Sequence, residues 1–167
     1  MPDLQGRLKG RVVNMKIKPA GSPMHLVKAG DSGAVMVKDA QAGLVIESRR
    51  FGGVDGRYVY LGLDDSALKK GAVPKVKVTL LYRDKGPATL QVLYDSSDAK
   101  HIVAADAPGA WKLAGNLKLD QTGEWRQVSF TLADAYFGGR LNGGDLRVQW
   151  GDDLDVEFMG AWVEAAP

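Results

Sequence analysis

The chain contains no cysteine, and its 167 residues include only two histidines, His25 and His101. The first absence excludes a disulfide framework, a thiolate metal site and a cysteine nucleophile. The second leaves any metal centre to be built mostly from carboxylates. Long apolar runs are also missing, and nothing approaches the ~18–20 consecutive apolar residues of a membrane helix, so no membrane partner is expected. Neither sign of charge dominates. Lys+Arg 22 against Asp+Glu 20 leaves a net charge of +2, too little to argue for a nucleic-acid partner. A hydrophobic content of 45% with 25% charged residues is that of a globular chain and excludes disorder. The length fits one domain with one core. Residues 1–10 read as a loose lead-in and 11–167 as the folded unit.

What is abundant is glycine, 21 residues of it, placed between short apolar stretches that alternate with period two. Val13, Met15 and Ile17 oppose Asn14, Lys16 and Lys18. Val76, Val78, Leu80 and Tyr82 oppose Lys75, Lys77 and Thr79, with Leu81 as an exception. Val128, Phe130 and Leu132 oppose Gln127, Ser129 and Thr131, and Leu146, Val148 and Trp150 oppose Asp145, Arg147 and Gln149. Such alternation is that of half-buried antiparallel strands. Further strands are predicted at 33–38, 43–48, 57–63, 88–95, 114–119 and 154–164, with one helical turn over 66–70 capped by Asp65 or Ser66. About ten short strands separated by glycine-rich turns predict an all-β fold, a two-sheet antiparallel β-sandwich of jelly-roll type.

Two motifs suggest catalysis. Gly30-Asp31-Ser32-Gly33 has the composition of a serine-protease nucleophile loop, which needs a histidine base beside the serine. Only His25 precedes it, and the chain is too short for that family's two barrels, so a turn is the better reading. Asp153, Asp155 and Glu157 share one face of a strand whose other face is Leu154, Val156 and Phe158. Aligned carboxylates can act as nucleophile and general acid in glycoside hydrolysis. The run resembles the catalytic strand of lichenase- and laminarinase-type β-glucanases, although Asp153 stands where those enzymes carry Glu. A small glycoside hydrolase or lyase using these three residues is therefore the alternative to a binding protein, beside a solvated acidic face or a structural cation site.

Binding chemistry has its own candidates. Tyr58 and Tyr60 oppose Val59, Leu61 and Leu63, so both tyrosines are expected to look outward, as are Gln91, Arg126, Gln127, Arg147 and Gln149. Trp150 and Trp162 continue core-facing alternations, while Trp125 is out of phase and is placed on the outer face or at a sheet end. Trp111 lies in a loop composition, 107–112, where a sugar contact and a loop anchor are both open. Flat aromatic rings bind the C–H face of a pyranose. Planar amides and guanidinium groups bind its hydroxyls, and arginine also pairs with uronate carboxylates.

In order along the chain, the segments 58–65 (YVYLGLDD), 76–86 (VKVTLLYRDKG), 93–96 (LYDS), 123–125 (GEW), 130–137 (FTLADAYF) and 142–147 (NGGDLR) form a recognisable pattern. It resembles the galactose-binding-like β-sandwich modules appended to secreted bacterial polysaccharide-degrading enzymes, over roughly residues 44–164. The resemblance implies that Trp125 closes a sheet end, that Tyr136 and Phe137 pack under a loop, and that Asn142 with Asp145 fixes a turn. It also implies a structural calcium ion, for which Asp155 and Glu157 are the candidates, with no cofactor required. The function it implies is a secreted, non-catalytic, monomeric carbohydrate-binding module that adsorbs to a polysaccharide and targets a covalently linked catalytic domain. The binding residues expected are Trp111, Tyr58, Tyr60, Gln91, Arg126, Arg147 and Gln149.

Overall fold

A period of two sends every second side chain of a strand to the same face, so the alternating segments can share one interlayer core. The computed structural model describes residues 7–8, 10–12, 19–39, 43–47, 58–151 and 156–167. Its strands are β1 (Arg7–Leu8), β2 (Arg11–Val12), β3 (Ser22–Val27), β4 (Val35–Asp39), β5 (Gly43–Glu47), β6 (Tyr58–Leu63) and β7 (Val76–Arg83). They continue with β8 (Thr89–Tyr94), β9 (Lys112–Lys118), β10 (Trp125–Leu132), β11 (Leu146–Gln149) and β12 (Glu157–Ala165). The predicted helical turn is a 3-10 turn at Ser66–Leu68, and Asp65 caps it by accepting from the Ala67 amide at 3.0 Å. The strand expected from the alternation of Val13, Met15 and Ile17 lies outside the described residues.

One sheet runs β1-β9-β8-β11-β6-β3, and the other runs β12-β7-β10-β2, with the β4–β5 hairpin at the start of β12. β3 joins both: Met24–Val27 pair with β6, while Ser22 and Pro23 pair with β12. From β6 to β12 the chain changes sheet at every connection except the β8–β9 hairpin, which is the jelly-roll path. Between the sheets, Val59, Leu61, Leu90, Val92, Leu146 and Val148 face Val78, Leu80, Val128, Phe130, Phe158 and Val163, all of them buried. Each such side chain contributes about 1.5–3 kcal/mol by leaving water.

Several expectations change in three dimensions. β3 escapes the periodicity because Pro23 interrupts it, and proline is tolerated only where a ladder amide is dispensable. Inside the lead-in, Arg7–Leu8 pairs in parallel with β9, and just after it Arg11–Val12 pairs antiparallel with β10. Trp125 stands at a sheet end as expected, at the start of β10, and is buried there next to a turn tied to the buried Asp84 by the Asp120 and Thr122 amides. Trp162, by contrast, is half-buried on the side of β12 opposite the core residues Ala161 and Val163. Leu81 points away from the core yet is buried as well.

Candidate functional site

The outer face of the first sheet carries two rows of side chains set by register. Cross-strand partners stand side by side on one face. One row is Val27, Tyr60, Arg147, Leu93 and Leu113 across β3, β6, β11, β8 and β9. The adjacent row is Tyr58, Gln149, Gln91 and Asn116. The pairing thus brings together Tyr58, Tyr60, Gln91, Arg147 and Gln149, residues separated by up to 91 positions in the chain.

Arg147 is the centre of the cluster. Its guanidinium carbon lies 4.2 Å from the Trp111 ring centroid, 4.6 Å from Tyr58 and 5.7 Å from Tyr60. Arginine stacked on rings in this way keeps its planar fork fixed. Tyr60 lies edge-on to Trp111 with ring centroids 6.4 Å apart. The Tyr60 hydroxyl donates to Asp31 Oδ2 at 2.9 Å and accepts from Asn142 Nδ2 at 3.0 Å and from Arg147 Nη1 at 3.1 Å. Burial, the largest influence, pushes the Tyr60 phenol above its ordinary value, so it remains a neutral donor. Gln149 Nε2 donates to Gln91 Oε1 at 2.9 Å.

Tyr60 corrects an expectation. It is on the outer face, as the alternation says, but its exposure is 0% because Arg147, Trp111 and Asn142 gather over and around it. Its role is to position Arg147 and Asp31, and the accessible ring surface is left to the half-buried Tyr58 and Trp111.

Trp111 reaches this face from a loop under unusual constraint. Its φ of 66° is in the left-handed region, which costs a bulky residue roughly 1–3 kcal/mol and persists only where the surroundings dictate it. They do so from both sides. His101 Nε2 donates to the Trp111 carbonyl at 3.0 Å, the Gly109 amide donates to the His101 carbonyl at 2.7 Å, and Ser96 Oγ donates to the Gly109 carbonyl at 2.6 Å. Immediately after Trp111, Lys112 Nζ is held by Asp134 at 2.6 Å and Asp98 at 2.9 Å, and Tyr94 donates to Asp134. Those two carboxylates raise the Lys112 pKa, Asp134 first, and Lys112 in turn lowers that of Asp98. A β-bulge then lets Gly115 and Leu113 oppose the consecutive Val92 and Leu93. Bulges re-aim side chains in this manner.

Not every predicted residue joins the cluster. Arg126 is on β10, in the other sheet, where it faces Asp120 at 3.2 Å, Glu124 at 3.5 Å and Asp84 at 3.7 Å. Asp153 and Asp155 lie outside the described residues. Glu157 is held by Arg83 at 3.3 Å and Lys85 at 3.5 Å, one cation on each carboxylate oxygen, so its surroundings do not fit a calcium ligand. Among the described residues no group of three or more His, Cys, Asp or Glu side chains is placed to hold a metal ion. Ser32 and His25 do not form a catalytic pair. Ser32 Oγ donates to the Tyr58 carbonyl at 2.7 Å, and His25 Nδ1 faces Asp64 at 3.2 Å.

Two members of the site carry no binding signal in the sequence. Asp31 belongs to the Gly-Asp-Ser-Gly turn, whose serine ties it to β6 and so brings the carboxylate to Tyr60. Asn142 is expected to fix a turn with Asp145. Its φ of 50° does place it in one, but its amide points to Tyr60. Asp145 is fully buried and accepts from the Leu63 and Gly139 amides, while Phe137 is fully buried and Tyr136 lies under Arg140 at 4.5 Å.

No family model matches the chain, and no curated protein sequence does. A solved structure described as "BiXyn10A CBM1 APO" aligns over 88% of this chain and 92% of its own, with 12% identity and a TM-score of 0.49. A likeness at that level carries no argument about ligand or activity.

Proposed function

We propose that the chain is a non-catalytic carbohydrate-binding module that adsorbs to a polysaccharide through the outer face of the first sheet. One observation carries this reading: Tyr58, Trp111, Arg147, Gln149 and Gln91 meet on a single preformed surface. Rings supply apolar faces for C–H groups, and the amides and guanidinium supply directed polar contacts, which together are the requirements of a sugar. Because strands and a pinned loop hold these groups, little conformational entropy is lost on binding. In its parent protein the module is expected outside the cell, linked to a catalytic domain whose local substrate concentration it raises.

Affinity gel electrophoresis in a panel of soluble polysaccharides tests the reading. The wild type should be retarded by at least one glycan. Trp111→Ala and Tyr58→Ala should each lose most of that retardation, while Arg126→Ala on the opposite sheet should keep it. Unretarded migration on every glycan, or equal retardation of all four proteins, would sink the reading.

A further inference from the structure

We infer that the glycan bound on this face is acidic, and that Arg147 takes the carboxylate of a uronic-acid residue. This rests on the glycan-binding reading above and names its substrate class. Each of Arg83, Arg126 and Arg140 faces a carboxylate, at 3.3 Å to Glu157, 3.2 Å to Asp120 and 2.8 Å to Asp95 respectively. Arg147 faces none among the described residues. It is stacked between Trp111 and Tyr58, which leaves the edge of the guanidinium plane as its bonding surface.

That edge is only partly used. Nη1 donates to Tyr60, Nε is buried without an acceptor, and Nη2 makes no hydrogen bond among the described residues. Nε and Nη2 form the side-on pair of parallel N–H groups that matches the two oxygens of a carboxylate. Two more buried atoms without partners are Asp31 Oδ1 and Gln149 Oε1, both acceptors on the same face. Of the four such atoms among the described residues, three therefore belong to this cluster, the fourth being Arg126 Nε. The complement of one cationic donor and two acceptors is an anionic acceptor beside hydroxyl donors. A sugar carrying a carboxylate has both. A neutral hexose has only hydroxyls and offers the free side of the fork no charge-assisted partner; a sulfate could span the fork with two of its oxygens, and the sulfated polymer in the test below distinguishes it from a carboxylate.

Isothermal titration of the full chain with matched polymers tests the inference. The probes are polygalacturonate, the same polymer after carboxyl reduction, alginate, a sulfated galactan without carboxylates, and neutral xylan and β-glucan. Binding to a carboxylated polymer should be about tenfold or more tighter than to the reduced or neutral ones. Arg147→Gln, checked for an unchanged fold by circular dichroism, should abolish that preference. Equal affinity for carboxylated and carboxyl-reduced polymer would overturn the inference and leave glycan binding standing. Equal affinity for the sulfated galactan would overturn the carboxylate assignment. Binding to no polymer would overturn both readings. The wild-type comparison decides the matter even if Arg147→Gln fails to fold.

Discussion

Replacing Tyr60 by Phe removes one oxygen atom and keeps the ring. Three hydrogen bonds go with it: one to the Asp31 carboxylate, one from Arg147 and one from Asn142, at 2.9, 3.1 and 3.0 Å. Hydrogen bonds to charged groups contribute roughly 1.5–3 kcal/mol each and neutral ones roughly 0.5–1.5 kcal/mol. The full sum overstates the loss, because Asn142 is exposed and Arg147 half-buried, so both can turn to water. Asp31 bears most of it, since its other oxygen is already buried without a partner. The expected net destabilisation is about 2–3 kcal/mol. At 2–4 °C per kcal/mol for a chain of this size, the melting temperature should fall by roughly 5–10 °C. Glycan affinity should fall by about tenfold as Arg147 loses its in-plane anchor while its stacking on Trp111 remains. Calorimetric melting and affinity electrophoresis on the same samples measure both effects. A variant that melts within 1 °C of the wild type and binds equally well would refute the claim that this hydroxyl organises the site.

Other expectations follow from the same geometry. At Gly109, φ is +95° and an added Cβ would lie 2.1 Å from the Ser96 carbonyl oxygen. Gly109→Ala should therefore destabilise the chain by about 2 kcal/mol or more and weaken glycan retardation by displacing Trp111, as read by urea unfolding and affinity gels. Tyr82 gives a pH dependence: burial, reinforced by the charge of Asp84, pushes its pKa up to about 12, against 10.0 for a free phenol. Raised in the folded state, it contributes stability that is fully present below about pH 10 and lost as pH rises toward 12. Urea midpoints should accordingly fall across that window, and Tyr82→Phe should lessen the fall, the remainder coming from Tyr94 and Tyr60, whose phenols burial also raises. A flat wild-type profile would contradict it.

The periodicity of β6, β7, β8, β10 and β11 was enough to predict an all-β sandwich, because a period of two has only one way to bury its apolar half. It also put Tyr58, Tyr60, Gln91, Arg147 and Gln149 on outer faces, since facing follows from parity within each strand. Parity does not say which strands are neighbours. Only the pairing of β11 between β6 and β8 placed Arg147 beside Tyr60, whereas Arg126, expected outward, lies on β10 in the other sheet and on the side it shares with Val128, opposite the buried Tyr82. Nor does parity report what lies above a face. Tyr60 is outward in phase and wholly covered because a loop with a left-handed Trp111, a turn with a left-handed Asn142 and the Asp31 loop all close over it. Those three segments have no periodicity to read, and their positions are set by long-range hydrogen bonds to groups far away in the chain. The sequence by itself therefore determined the layers and the facing of residues. The tertiary structure alone decided which outward residues meet, because contacts between distant segments depend on strand order and loop closure.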